Sequence, residues 1–260
     1  MVLGEAWRGE GDELDATDFA ALQRPFGMET VPEDALVQTV GGDVQQDRVE
    51  LTYTGWTADG DMRVLGHVPI WGEPTDAETW VEVEDASRRQ FLHPLGGMLN
   101  VDAAVIDSGN WADQVYDYCR PRTARRVLPG KGVSGCTRPS LAFSSSRKVR
   151  LALIGVDGAK LAVLQSLAHG ETILFLEDLS GDYFDQIRAE RLVTKFSRGR
   201  PMRVCEVISG CRNEALDTLA YSYAARQLVG LDMERRESDL MRKDGPKMAP
   251  TVVRSAWLER

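Results

Sequence analysis

Val37–Trp56, VQTVGGDVQQDRVELTYTGW, reads as two strands joined by a short turn. The first strand ends at Asp43, the chain turns through Gln45-Gln46-Asp47, and a second strand returns. On the return Val49, Leu51 and Tyr53 alternate with Glu50, Thr52 and Thr54, the period of a half-buried strand. An acid at the end of a core strand is costly unless something compensates its charge. A metal ion would do so. A turn cap would also explain an Asp here, and this stretch alone favours the cap. Two carboxylates farther along reverse that preference.

Asp59-Gly60 marks a second tight turn, and Met62–Ile70 returns as a third antiparallel strand. Residues 1–35 read as an extended lead-in with a short helical piece near Asp18–Gln23. Thr75 and Glu78 form a capping box behind Pro74, predicting a helix to about Phe91, ended by Pro94-Leu-Gly-Gly97. Val101–Ile106 is a fourth strand, with Asp107 at its end and Ser108-Gly109 after it. Trp111–Cys119 is a short amphipathic helix stopped by Pro121, and Arg126–Leu128 starts a strand leading to Gly130-Lys131-Gly132. If strands one and four lie parallel and adjacent, Asp43 and Asp107 share the crevice where open α/β sheets bind ligands. The fold class is therefore α/β, a mixed central sheet of three antiparallel strands followed by parallel ones, flanked by helices.

The second half is plainer. Residues 133–148 form a Ser/Gly/Arg-rich loop, Val149–Val156 a strand, Asp157–Leu167 a helix and Thr172–Leu176 a strand. Residues 181–195 read as a mixed helix, and Lys195–Ile208 as a hairpin around Arg198-Gly199. Asn213–Leu228 is the clearest helix. Ala220, Tyr221, Ala224 and Leu228 make an apolar stripe headed by Asp217, which therefore points inward and needs a partner. Arg48 or Lys131 could supply one through a salt bridge. The domain reading is a lead-in over 1–35, one domain over 36–230 and a charged tail over 231–260.

The chain has 260 residues, 43% of them hydrophobic, enough for a sizeable core, and a formal net charge of −9. That total hides an asymmetry: residues 119–160 carry ten basic side chains and one acidic one, Asp157. A basic segment in an acidic protein suggests a dedicated polyanion-facing surface, against the plainer alternative of a solvated loop. Cys119, Cys136, Cys205 and Cys211 show no C-x-x-C spacing and lie far from His67, His93 and His169, which argues against a structural zinc site. Scattered cysteines fit a reducing compartment. No run reaches the ~18 apolar residues of a membrane span, and the acidic start does not look like a signal peptide.

Carboxylates at the end of strand one, the end of strand four and on a late helix follow the active-site plan of RNase H-like nucleases. The local sequences VGGDVQQDRVELTYTGW, AAVIDSG with WADQVYDYCRPR, RRVLPGKG, IGVDGAK and RNEALDTLAYSYAA are more specific. In this order they resemble the C-terminal nuclease domain of the lambda-like (GpA-type) phage terminase large subunit, over about residues 3–228. The resemblance implies an endodeoxyribonuclease that cuts concatemeric viral double-stranded DNA in the host cell cytoplasm. Asp43, Asp107 and Asp217 would be the metal-binding, catalytic carboxylates, with Asp43 bridging two Mg²⁺ or Mn²⁺ ions and the others holding one each. Hard oxygen donors suit those ions rather than zinc. Implied partners are the ATPase half of the same protein, the small terminase subunit and the portal.

The packaging ATPase itself is expected elsewhere, since no G-x-x-x-x-G-K-[ST] occurs here. Terminases vary between Asp and Glu at the middle acid, so Asp107 rests partly on its strand-end position. Asp157 is a candidate fourth acid, although strand, Asp cap, helix reads better. Glu214 stands three before Asp217, as a neighbour of the site or a helix-start residue. Arg120, Arg122, Arg125 and Arg126 are expected to meet the DNA backbone, and Lys131 and Lys160 to contact phosphates, with ordinary surface lysines as the alternative. Two other functions fit less of the pattern. One is a junction-resolvase type of RNase H-like nuclease. The other is a non-catalytic module for docking DNA or a partner, whose acids only bridge arginines.

Overall fold

A computed structural model describes residues 18–144, 149–168, 172–197 and 199–242. Its elements are α1 (Phe19–Leu22), β1 (Gln23–Arg24), β2 (Val37–Val44), β3 (Arg48–Trp56), β4 (Met62–Trp71), α2 (Ala77–Ser87), β5 (Gln90–Leu92), β6 (Met98–Asn100) and β7 (Ala103–Asp107). They continue with α3 (Ala112–Cys119), a 3₁₀ segment (Arg120–Arg125), β8 (Val127–Val133), β9 (Ala142–Phe143), β10 (Ala152–Gly155), α4 (Val156–Ala168) and β11 (Ile173–Leu176). Last come α5 (Gly181–Ile187), β12 (Glu190–Ser197), β13 (Arg200–Val207), α6 (Glu214–Arg226) and α7 (Met233–Met241).

Among the described residues nine strands form the main sheet, in the order β1-β11-β4-β3-β2-β7-β8-β10-β9. The opening hairpin is its centre: β2 pairs antiparallel with β3, and β3 with β4. On its other edge β2 pairs parallel with β7, Thr39 opposite Ala103 and Gly42 opposite Ile106. The α3 crossover returns the chain to β8, parallel to β7, and β10 extends the sheet parallel to β8. This is the expected mixed α/β sheet, three antiparallel strands followed by parallel ones.

Two cores sandwich it. On one face Val37, Trp56, Ala103 and Val105 pack with Val163, Tyr183, Leu216 and Leu219, side chains from α4, α5 and α6. On the other, Val40, Leu51, Tyr53 and Ile106 pack with Val83 and Val115 from α2 and α3. The expectation of a half-buried β3 is corrected here, because Val49–Trp56 is buried throughout. Its polar face is covered by α6, whose hydroxyls meet β3 and the neighbouring β2: Thr52 Oγ1 lies 2.7 Å from Thr218 Oγ1, and Thr39 Oγ1 of β2 2.8 Å from Ser222 Oγ. Paired hydroxyls remove the penalty of burying them.

Other boundaries shift for local reasons. The helix expected to reach Phe91 stops at Ser87, and Gln90–Leu92 pairs with Met98–Asn100 around Pro94–Gly97. Thr75 does not cap it; its hydroxyl reaches Glu73. Pro121 does not stop the chain's winding but sits at the start of the 3₁₀ segment. The mixed helix over 181–195 ends at Ile187, and Glu190 onward is the first strand of a ribbon, β12 with β13. Residues 18–35 are more than a lead-in: β1 pairs with β11, and Phe19, Phe26 and Val31 are buried. Within the expected tail, α7 is helical, buries Leu240 and pairs Arg236 with Asp102. Residues 1–17 of the lead-in, 243–260 of the tail, and His169 and Arg198 lie outside the described residues.

Candidate active site

Asp43, Asp107 and Asp217 come together at the carboxyl ends of β2 and β7, under the first turns of α6. Strand parity explains two of them. Thr39, Gly41 and Asp43 alternate onto the α6 face of β2, and Ala103 and Val105 place Asp107 on the same face of β7. Asp217 sits in the first turn of α6. The helix lies very close to the strand. A Cβ added at Gly41 would come within 1.8 Å of the Thr218 carbonyl oxygen, so only glycine allows this approach.

The convergence shows in the electrostatics. Asp43 is 8% exposed. Burial, then the charges of Asp217 and Asp107, push its carboxyl up to about 7, against a hydrogen bond from Gln45. Burial also raises Asp107, against donations from the Tyr221 hydroxyl and the Gly109 N–H. The Tyr221 phenol is raised well above its ordinary value by burial and by Asp107, with Asp217 and Asp43 adding to it.

Each acid is held by a donor of its own. Gln45 Nε2 donates to Asp43 Oδ2 at 2.6 Å. Tyr221 Oη donates to Asp107 Oδ1 at 2.5 Å, and Gly109 N to Asp107 Oδ2 at 3.2 Å. Asp217 takes Lys160 Nζ at 2.6 Å on one oxygen and Asn213 Nδ2 at 2.8 Å on the other. Lys160 also reaches Glu190 Oε1 at 2.5 Å, at the root of the β12–β13 ribbon. Burial alone would lower the lysine, but Asp217 and Glu190 hold it above its usual value. Beside the acids, Glu50 is buried on β3 among Arg48 (2.6 Å), Arg212 (2.8 Å) and His67 (2.9 Å). Burial would raise Glu50, yet His67 and Arg48 bring it down to about 2.

Several sequence expectations are corrected. Lys160 is not a surface phosphate contact: it is buried and is the partner of Asp217 that Arg48 or Lys131 was expected to be. Asp157 is no fourth acid of the cluster. It is buried and accepts the Gly135 and Cys205 N–H groups, tying the β8–β9 loop to the ribbon. Glu214 starts α6 and pairs with Arg212 and Arg48. Arg122 and Arg125 are bound to Glu84 at 2.6 and 2.8 Å, and Arg122 also stacks on Tyr118. Arg120 pairs with Asp117 at 3.3 Å. These arginines and Arg126 lie before β8, whereas Gly130 is the residue opposite Asp107. Arg126 lies four residue steps back from that level, roughly 13 Å. Of the basic candidates, Lys131 is exposed, but it follows Gly130, the partner of Asp107, and by strand alternation its side chain leaves the opposite face of the sheet. Sequence reasoning missed Gln45, Asn213, Glu190 and Tyr221. The Asp217-to-Tyr221 spacing of one helical turn was the available signal for Tyr221.

Three oxygen donors of one charge, two of them raised by burial, suit a hard divalent cation. Among the described residues no group of three His, Cys, Asp or Glu side chains stands in formed metal-site geometry. Each acid is turned to its own donor. Asp217 is occupied by Lys160 and Asn213.

A family model described as "Terminase large subunit gpA, endonuclease domain" matches residues 1–238. The terminase large subunit of Enterobacteria phage P21 is 29% identical over 92% of this chain and 39% of its own length. That of Escherichia phage lambda is 27% identical over 94% of this chain and 41% of its own length. The chain thus spans about two fifths of the length of these relatives. The HK97 bacteriophage large terminase crystal structure is similar at a TM-score of 0.37 and 12% identity, over 83% of this chain and 42% of that one.

Proposed function

The chain belongs to the family of terminase large subunit gpA endonuclease domains, and from that premise we propose that it is a metal-dependent endonuclease of double-stranded DNA with Asp43, Asp107 and Asp217 as its centre. The observation that carries the centre is their convergence on one crevice, felt most strongly at Asp43. Asp43 feels the charges of both Asp217 and Asp107 and would be the acid shared by two Mg²⁺ or Mn²⁺ ions. Asp107 and Asp217 would each hold one. Bound there, the cations would supply Lewis acidity, activating a water for in-line attack and stabilising the leaving 3′ oxygen.

The chain's own residues do the positioning. Tyr221 fixes Asp107 by a hydrogen bond from α6 to the end of β7. Asn213 holds the Asp217 oxygen that Lys160 does not. Gln45 orients Asp43 from the hairpin turn. Lys131, exposed on β8 one residue past the partner of Asp107, is the basic residue proposed to meet a phosphate of bound DNA. The proposed setting is the host cytoplasm, on concatemeric DNA, with the ATPase part of a longer protein, the small subunit and the portal as partners.

A supercoiled-plasmid assay with Mg²⁺, with Mn²⁺ and with EDTA tests this reading. Nicking or linearisation with either ion and none in EDTA is expected. Cleavage that persists in EDTA would overturn the metal dependence, and no cleavage under any condition would overturn the nuclease reading.

A further inference from the structure

A cleft of about 850 Å³ opens directly beside the acid cluster. It starts at Gln45, whose amide holds Asp43, and at Asn110, next to the Gly109 that donates to Asp107. Its walls carry two indoles, Trp71 at the end of β4 and Trp111 ahead of α3. Trp71 is 65% exposed, with the Arg48 guanidinium 5.5 Å from its ring centre. The amides of Gln46 and Asn110 are exposed at the rim.

The charges in this cleft are already spent. Arg48 is bound to Glu50 at 2.6 Å and Asp47 at 2.7 Å. Arg212 is bound to Glu50 at 2.8 Å and Glu214 at 3.2 Å. Such a surface offers a polyanion little net attraction. It offers instead a large aromatic face in water and free amide donors and acceptors. Those are the groups by which proteins stack an unpaired base and bond its edge.

We propose that this cleft receives an unstacked nucleobase of the strand being cut, next to the scissile phosphate, with Trp71 as its stacking platform. The proposal rests on the nuclease reading. The duplex must then open locally at the cut, which costs least where a base is already unpaired.

The test is binding of a 12-nucleotide single strand carrying one central 2-aminopurine, in EDTA so that nothing is cut, over a series of salt concentrations. Wild type, Trp71→Ala and Trp71→Phe are compared, with thermal melting to confirm that each is folded. Trp71→Ala is expected to bind about tenfold more weakly or worse, the range for losing one base–aromatic stack. The slope of log affinity against log salt should stay the same, because no phosphate contact is lost. Trp71→Phe should keep most of the affinity, and quenching of 2-aminopurine should disappear only in the alanine variant.

Undiminished binding by Trp71→Ala would overturn the proposal, as would a wild type that does not bind the strand. A weaker binding with a slope reduced by about one contact would also overturn it, since the cleft would then track the backbone. The plasmid assay is run in parallel on wild type. Cleavage by wild type with no effect of Trp71→Ala on binding leaves the nuclease intact and removes only the base cleft.

Discussion

Lys160 Nζ stands 2.6 Å from Asp217 Oδ1 and also bridges to Glu190, with the lysine and Glu190 both buried. A single ammonium therefore joins α4, α6 and the root of the β12–β13 ribbon. Without it two carboxylates would face each other in a poorly solvated place.

Lys160→Met should lower stability by about 3 kcal/mol, the cost of breaking a buried ion pair from one side. Adding Glu190→Gln should recover part of that loss, because one of the orphaned charges is then gone. Urea denaturation of the single and double variants checks both. An unchanged midpoint for Lys160→Met would mean that the lysine does not balance these acids.

DNA affinity should separate the basic residues by position. Lys131→Ala should weaken duplex binding and reduce the slope of log affinity against log salt by about 0.9, one phosphate contact. Arg122→Ala should leave that slope alone and instead lower the melting temperature, since its guanidinium serves Glu84 and Tyr118. Salt-dependent binding to a short duplex in EDTA distinguishes them, and a reversed pattern would move the DNA to the 3₁₀ side.

Glu84 should set an acid limit on stability. Burial would raise its carboxyl, but Arg88, Arg122 and Arg125 hold it at about 2 in place of 4.5. A carboxyl lowered on folding stabilises above its unfolded value, and that contribution is lost as pH falls. Wild type should therefore lose stability from about pH 4.5 down toward 2. Glu84→Gln should be less stable at neutral pH and should lack this part of the loss. Thermal melts from pH 7 to pH 3 check it; parallel curves would show that the cluster contributes nothing.

Much of this was legible in the sequence because parity is local. The period of two in β2 and β7 sets the face of Asp43 and Asp107, and the helical stripe turns Asp217 inward. The partners were not legible. Lys160 looked like a surface lysine because nothing in IGVDGAK states that Glu190 and Asp217 will close over it. Arg122 and Arg125 looked free because Glu84 lies far back in sequence, on α2. The polar side of β3 looked solvent-facing because the covering helix arrives more than a hundred residues later. Tyr221 read as part of an apolar stripe, and only the sheet supplies the acid its hydroxyl meets. Charge counting found a basic segment but could not say that much of it is internally neutralised.

Gly41→Ala should disrupt the site without touching an acid. Its added methyl would meet the Thr218 carbonyl oxygen and force α6 away from β2. A loss of about 1–3 kcal/mol is expected from such overpacking, together with loss of cleavage, because Asp217 and Tyr221 move with the helix. Stability and plasmid nicking measured on the same preparation check it. Full cleavage by the variant would show that the close strand–helix approach is dispensable.

Mn²⁺-dependent melting tests the proposed centre most directly. Only the folded chain brings Asp43, Asp107 and Asp217 together, so an ion they bind stabilises folding, by about 2.7 kcal/mol at a hundredfold excess over Kd. Wild type, Asp43→Asn and the surface control Glu82→Gln are melted in EDTA and across a Mn²⁺ titration. Wild type and Glu82→Gln are expected to rise together in melting temperature. Asp43→Asn is expected to lose most of that rise while starting at or above wild type in EDTA, one repelling charge having been removed. An equal Mn²⁺ response in wild type and Asp43→Asn would contradict the assignment of these three acids as the metal centre.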